Sequence, residues 1–231
     1  MKIKHFAICA VTSCTLLSAA HASDVSYNIG VVSLYKSNGV DQDTDKTGTN
    51  YNKNSRPAIQ GGFDIDMGNG WYVGNWNSTG RFVDSSLEVD LYGGYAGDLG
   101  GGVGYDIGYA YYAYPSQSSW NGGEAVMSLS YSGFKLKLAN GLSGSLQDAS
   151  NKSSRRLSLS YTTSLTDTVS ATATYGKRNK VAGDFNDYAL AVSYDLGAGM
   201  STTATYSGAK DKAAANGARD NRLVFGVNKS F

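Results

Sequence analysis

The sequence predicts an all-β chain: a transmembrane, up-and-down antiparallel β-barrel of about twelve strands, with short periplasmic turns and longer extracellular loops. Three observations carry this. Apolar and small or polar residues alternate with period two in segment after segment, and no segment sustains a 3.6-residue period. The connectors between those segments alternate long with short. The composition, 29 Gly and 17 Tyr against 2 Pro in 231 residues, suits thin strands with one apolar face.

Residues 1–22 read as a cleaved secretory leader. Lys2 and Lys4 form a positive start, Phe6–Leu17 is a short apolar run, and Ala20-His21-Ala22 is a small-x-small cleavage site. The run is too short to span a bilayer as a helix. A competing reading takes Val11-Thr12-Ser13-Cys14 as a loose lipobox with Cys14 acylated, but it strands the apolar remnant Thr15–Ala22. Cleavage after Ala22 leaves 23–231 as a single barrel domain without cysteine or histidine. Of 20 basic residues Lys2 and Lys4 are then lost, so 18 stand against 19 acidic ones, a balance that gives no argument for nucleic-acid binding.

The strand candidates follow in order. Val25–Tyr35 alternates Val25, Tyr27, Ile29 and Val31 with small or polar residues, and Arg56–Asp66 alternates Ile59, Phe63 and Ile65 with Gln60, Asp64 and Asp66. Trp71–Trp76, Ser86–Tyr95, Gly102–Tyr114 and Glu124–Tyr131 come next, then Phe134–Leu142, where Lys135 and Lys137 separate Phe134, Leu136 and Leu138. Ser154–Tyr161, Thr168–Tyr175, Asp187–Asp195, Met200–Tyr206 and Asn221–Phe231 complete the twelve. Most run to the length that a tilted strand needs to cross an outer membrane.

The connectors set the architecture. Lys36–Ser55, Asn77–Ser85, Pro115–Gly123, Ser143–Ser153, Gly176–Asn186 and Ser207–Asp220 are long, whereas Met67–Gly70, Ala96–Gly101, Ser132-Gly133, Thr162–Asp167 and Leu196–Gly199 are short. A soluble sandwich has no reason to alternate in this way, while an outer-membrane barrel does. Aromatics stand at strand ends in phase with the apolar residues: Tyr95, Tyr131, Tyr161, Tyr194 and Phe231 on the periplasmic side, Tyr35, Trp76, Tyr111, Tyr175 and Tyr206 on the outer side. They are expected to form two interfacial girdles on the lipid face.

Several blocks carry a family resemblance. SLYKSNGVDQD (Ser33–Asp43), RPAIQGGFDI (Arg56–Ile65), GWYVGNWNS (Gly70–Ser78), LEVDLYGGY (Leu87–Tyr95), YDIGYAYYAYP (Tyr105–Pro115) and the closing RLVFGVNKSF (Arg222–Phe231) resemble the TorF family of outer-membrane porins. That family usually has an Arg-Gly pair after its first strand, where this chain has Ser37-Asn38-Gly39. The ending also resembles the assembly signal of bacterial outer-membrane barrels, with Phe231 last and Lys229 at a position that is usually apolar. The resemblance implies a passive outer-membrane barrel whose partners are lipid, the barrel-assembly machinery (through Phe231) and small polar solutes.

Catalysis has little to draw on. Without histidine or cysteine in 23–231, Ser–His and Cys–His systems and the zinc sets built on them are missing, so no enzyme and no cofactor is expected. Asp64 with Asp66, and Glu88 with Asp90, could pair for acid–base work but suit the wet lining of a barrel better. Asp41, Asp43 and Asp45 alternate like the start of a calcium loop, yet Lys46 stands where the glycine belongs and no bidentate Glu follows, which favours a solvated acidic loop. Gly93-Gly94, Gly97 and Gly100-Gly101-Gly102 lack the Lys-Ser/Thr ending of a phosphate loop and serve turns and curvature.

If the apolar phase faces lipid, alternation points Gln60, Asp64, Asp66, Glu88, Asp90, Asp106 and Glu124 inward along one arc, and Lys135, Lys137, Arg156 and Arg222 along another. These are the candidate pore-lining residues. They create either a transverse field across a narrow water-filled lumen or salt bridges that plug it. The expected function is passive diffusion of small polar solutes, with Lys36–Ser55 long enough to fold in as a constriction. A non-conducting structural, receptor or adhesion barrel would share every membrane-facing feature, and a soluble secreted β-protein would leave the connector pattern unexplained.

Overall fold

The computed structural model describes residues 24–43, 56–144, 154–179, 184–210 and 219–231. The leader and its cleavage site lie outside the described residues, as do Asp45 and Lys46.

Twelve antiparallel strands close into a barrel. In chain order they are β1 (Asp24–Val32), β4 (Ala58–Asp66), β5 (Trp71–Phe82), β6 (Ser85–Asp98), β7 (Gly104–Ala113), β8 (Gly122–Tyr131), β9 (Phe134–Gly144), β10 (Arg155–Ser164), β11 (Val169–Asn179), β12 (Phe185–Gly197), β13 (Met200–Lys210) and β14 (Arg222–Ser230). A small hairpin, β2 (Lys36–Ser37) with β3 (Val40–Asp41), lies between the first two. Each strand pairs with its neighbour in sequence, and β14 returns to β1. Asn28 stands opposite Ser230 and Val32 opposite Gly226 in that last pairing, and the Phe231 N–H donates to the Tyr27 carbonyl at 2.9 Å. Closure removes both free edges, which an open sheet of this length would expose.

The two-residue period sorts the side chains. Val25, Tyr27, Ile29 and Val31 on β1, Leu157, Leu159 and Tyr161 on β10, and Leu223, Phe225 and Val227 on β14 are all exposed on the outward surface. Such a continuous apolar surface is a bilayer-facing one, since no water-soluble domain carries an apolar patch of this extent. The barrel is therefore transmembrane. Among the described residues no helix is long and apolar enough to cross a membrane, so the strands do the crossing.

At the end of the barrel that holds both termini, the connectors are 67–70, 99–103, 132–133, 165–168 and 198–199. Left-handed backbone marks these turns, as at Asn69 and Gly70 or Ser132 and Gly133. At the opposite end they span 33–57, 83–84, 114–121, 145–154, 180–184 and 211–221. The expected long connector Asn77–Ser85 is corrected here. β5 runs on through a bulge to Phe82, leaving only Val83 and Asp84 in the turn, with Val83 at φ +62°.

Eight of the ten expected girdle aromatics are on the outward surface: Tyr95, which stacks edge-on against Trp71 at 5.2 Å, Tyr111, Tyr131, Tyr161, Tyr175, Tyr194, Tyr206 and Phe231. The other two, Tyr35 and Trp76, are corrected. β1 ends at Val32, so Tyr35 is free to turn inward, and Trp76 falls in the inward phase of β5 with Tyr72, Gly74 and Ser78.

Candidate functional site

The interior of the barrel is the candidate site, and two structures divide it. At the loop end an aromatic cluster fills one side. Tyr35, Ala58, Phe82 and Tyr114 are buried together, with Val32, Trp76, Tyr112 and Trp120 against them. Its rings meet in sequence, Trp76 to Tyr35 at 5.6 Å, Tyr35 to Phe82 at 6.4 Å and Phe82 to Tyr114 at 5.1 Å.

From that cluster the β2–β3 hairpin reaches across the interior. Asn38 (φ +48°) and Gly39 (φ +76°) make its two-residue turn, as an Asn-Gly pair favours. Gly39 lies so close to the far wall that a Cβ there would be 2.4 Å from the Gly208 carbonyl oxygen and 2.8 Å from Asp187 Cβ. The hairpin is latched by charge: Asp41 takes Lys36 at 2.5 Å and Arg222 at 3.3 Å, and Asp43 stands 3.5 Å from Arg81 and 3.7 Å from Arg56.

This corrects the solvated acidic loop. Asp41 is 1% and Asp43 4% exposed, because residues from β5 and β14 enclose them. Burial pushes the Asp43 carboxyl above its ordinary range, and the pull of Arg81 and Arg56 does not cancel it. Burial likewise lowers the Lys36 ammonium against the opposing pull of Asp41. Among the described residues no group of three His, Cys, Asp or Glu side chains is placed to hold a metal ion.

The acidic wall is built from β4 to β8, and tyrosines hold its carboxylates. Tyr92 donates to Asp64 at 2.5 Å, Tyr72 to Asp106 at 2.7 Å, Tyr112 to Glu124 at 2.8 Å and Tyr114 to Glu88 at 2.9 Å. Gln60 donates to Ser78 at 3.1 Å. Asp66 accepts the Gly68 N–H at 2.9 Å and so caps the β4–β5 turn. Asp90 is buried beside Glu88 on the inward face of β6, with Oδ1 lacking a hydrogen-bond partner.

The basic wall lies on β9 to β11. Lys135 and Lys137 share the inward phase of β9, opposite Ser160 and Ser158 of β10. Arg156 is two residues from Ser158 on that same face and forks onto Asp187 of β12, Nε to Oδ2 at 2.9 Å and Nη2 to Oδ1 at 2.5 Å. Arg178 pairs with Arg156 in register on β11, and its Nε has no hydrogen-bond partner. Arg222 belongs to neither wall, being drawn to Asp41 of the hairpin.

Sequence reasoning missed the tyrosine hydroxyls, Arg178 and Asp187. Tyr72, Tyr92 and Tyr112 lie in the inward phase, but sequence reasoning names only Gln60 and charged side chains there. A ninth strand that stops at Tyr175 leaves Arg178 in the connector Gly176–Asn186, whereas β11 runs four residues further, to Asn179. Extending the strand by alternation places Arg178 in phase with Gly176 and Thr174, which would have found it.

Comparison of the fold finds porins. The KdgM porin superposes with a TM-score of 0.60 at 9% identity, over 91% of this chain and 99% of that one. The same porin in complex with disordered oligogalacturonate gives 0.57 at 9% identity over the same shares. The NanC porin gives 0.50 at 14% identity, over 90% of this chain and 98% of that one. At these identities the likeness is one of fold. No curated protein matches the sequence. The model of a bacterial family of unknown function, Gcw_chp, matches residues 17–231, and the chain belongs to that family.

Proposed function

We propose that this protein is a porin-like channel of the bacterial outer membrane, through which small polar solutes diffuse passively along a narrow, charged lumen. One observation carries the reading: a closed twelve-stranded barrel that is apolar outside and sets Asp64, Asp66, Asp106 and Glu124 on the interior wall of β4 to β8 and Lys135, Lys137, Arg156 and Arg178 on that of β9 to β11. A barrel whose only task was anchorage would have no use for unlike charges kept on separate walls. The fold shared with KdgM and NanC supports it, as do the blocks that resemble the TorF porins.

In this reading the leader directs export and is removed after Ala22, and Phe231 at the end of the closing strand is what the assembly machinery engages. Both termini then lie at the periplasmic face. Asp64, Asp66, Glu124, Lys135 and Lys137 line the path, while Asp106 is buried against the Tyr72 hydroxyl and Glu88 and Asp90 are buried near the aromatic cluster. The β2–β3 hairpin narrows the outer mouth. No step of the function is chemical, so the protein is a channel and not an enzyme.

The cluster around Phe82 favours one other reading, a non-conducting barrel, because it fills part of the interior. Planar-bilayer recording of the purified barrel, with a series of neutral solutes of increasing size, decides between them. Stepwise conductance with a solute-size cutoff is expected; electrically silent insertion of folded protein would sink the channel.

A further inference from the structure

Tyr72 and Tyr92 start on the inward face, yet neither stands out into the interior. Tyr92 leaves β6, passes over Gly74 of β5 and donates to Asp64 of β4. The three occupy one row of the sheet, with Asp64 opposite Gly74 and Gly74 opposite Tyr92. A Cβ on Gly74 would lie 2.4 to 2.6 Å from Cε2, Cζ and the hydroxyl of Tyr92, so only glycine lets the ring down onto the wall. Tyr72 runs the opposite way, from β5 across Gly94 of β6 to Gly108 of β7, where it donates to Asp106. A Cβ would lie 2.6 Å from its hydroxyl at Gly94 and 2.9 Å at Gly108. Two rings are thus laid along the wall in antiparallel directions, and both stay half-exposed to the interior.

An aromatic ring is electron-rich on its face, and a phenol that donates to a carboxylate is more so. Among the described residues the Tyr92 and Tyr72 hydroxyls meet two carboxylates, Asp64 and Asp106, and Asp66 follows Asp64 on the same face of β4. The lysines of β9 are two strands away from β7. We propose that Tyr72 and Tyr92, framed by Asp64 and Asp106, form a station that binds the alkylated ammonium group of a solute in transit. Anions are repelled by the carboxylates, and a neutral sugar gains no charge term, so the station selects among small solutes rather than merely admitting them.

This rests on the channel reading, so the test is built to separate the two. The probe is tetramethylammonium chloride, and the readouts are its block of potassium current in planar bilayers and its binding to the detergent-solubilised full barrel by calorimetry. Saturable block and saturable binding are expected. Tyr72→Leu with Tyr92→Leu should weaken both about tenfold, the order set by the loss of two ring faces, while the Phe pair keeps most of the affinity. Should the Leu pair fail to fold, Asp64→Asn with Asp106→Asn is the second variant, and it too should weaken both readouts. A silent barrel that still binds tetramethylammonium would end the channel reading and keep the station. Absence of saturable binding, equal affinity in the Leu pair, or equal block by glucose would overturn the station.

Discussion

The carboxylate of Asp187 accepts both arms of the Arg156 guanidinium directly above Gly176, the residue that separates the two on β11. A Cβ on Gly176 would lie 2.5 Å from Arg156 Nη2 and 2.6 Å from Asp187 Oδ2, so the pair exists only because that position is bare. Both side chains are nearly buried, 10% and 3% exposed, and the fork makes two charge-assisted bonds where a single contact would leave a buried charge half-satisfied.

Gly176→Ala should therefore part the pair and destabilise the barrel. Asp187→Ala, which leaves Arg156 buried without its carboxylate, should cost about 3 kcal/mol. Replacing both partners, Arg156→Met with Asp187→Leu, should recover most of that loss. Urea unfolding in detergent followed by tryptophan fluorescence reads all three; a double replacement as unstable as Asp187→Ala would contradict the account.

The hairpin latch gives a pH dependence. Burial raises the docked Asp43 carboxyl above its value in the open loop, so the docked state favours the protonated acid. That contribution is complete below the ordinary carboxylate pKa and is lost as pH rises through the raised one. Docking should be tighter near pH 4 than at pH 7, and conductance correspondingly lower in acid. Asp43→Asn should flatten the change, and an unaltered pH profile in that variant would exonerate Asp43.

Selectivity should follow exposure rather than charge count. Asp64→Asn should move reversal potentials toward anions, and Lys135→Gln with Lys137→Gln toward cations, because all three residues are half-exposed. Glu88→Gln should leave them in place, since Glu88 is 3% exposed and held by Tyr114. Reversal potentials in a salt gradient are the measurement, and a large shift in Glu88→Gln would mean that the ion path runs behind the aromatic cluster.

The turn at Val83 is strained. A β-branched residue at φ +62° is in a region that glycine enters freely and valine does not. Val83→Gly should stabilise the β5–β6 hairpin by about 1 kcal/mol, seen as a higher urea midpoint. A lower midpoint would show that the valine side chain contributes packing that outweighs its backbone strain.

Deleting Phe231 removes both backbone bonds between that residue and Tyr27, at the seam where β14 meets β1. The heat-modifiable, folded fraction recovered in outer membranes should fall several-fold. Equal recovery would mean that Phe231 has no part in assembly or in closing the ring.

The local pattern alone determined the twelve strands, which face of each is apolar and every long or short connector but Asn77–Ser85, where a bulge carries β5 on to Phe82. Those depend only on neighbours two residues apart, and the inward phase of Asp64, Lys137 or Arg156 could be read by counting. Tyr35 escapes that counting because β1 ends at Val32 and frees it to turn in, whereas Trp76 keeps the inward phase of Tyr72 and Gly74, against the girdle role that its place near a strand end suggests. The hairpin across the lumen, the capture of Asp41 by Arg222, the fork of Arg156 on Asp187 and the rings of Tyr72 and Tyr92 on their glycines were decided by tertiary structure. Each joins residues from strands that meet only once the sheet has paired, and no spacing along the chain records that meeting.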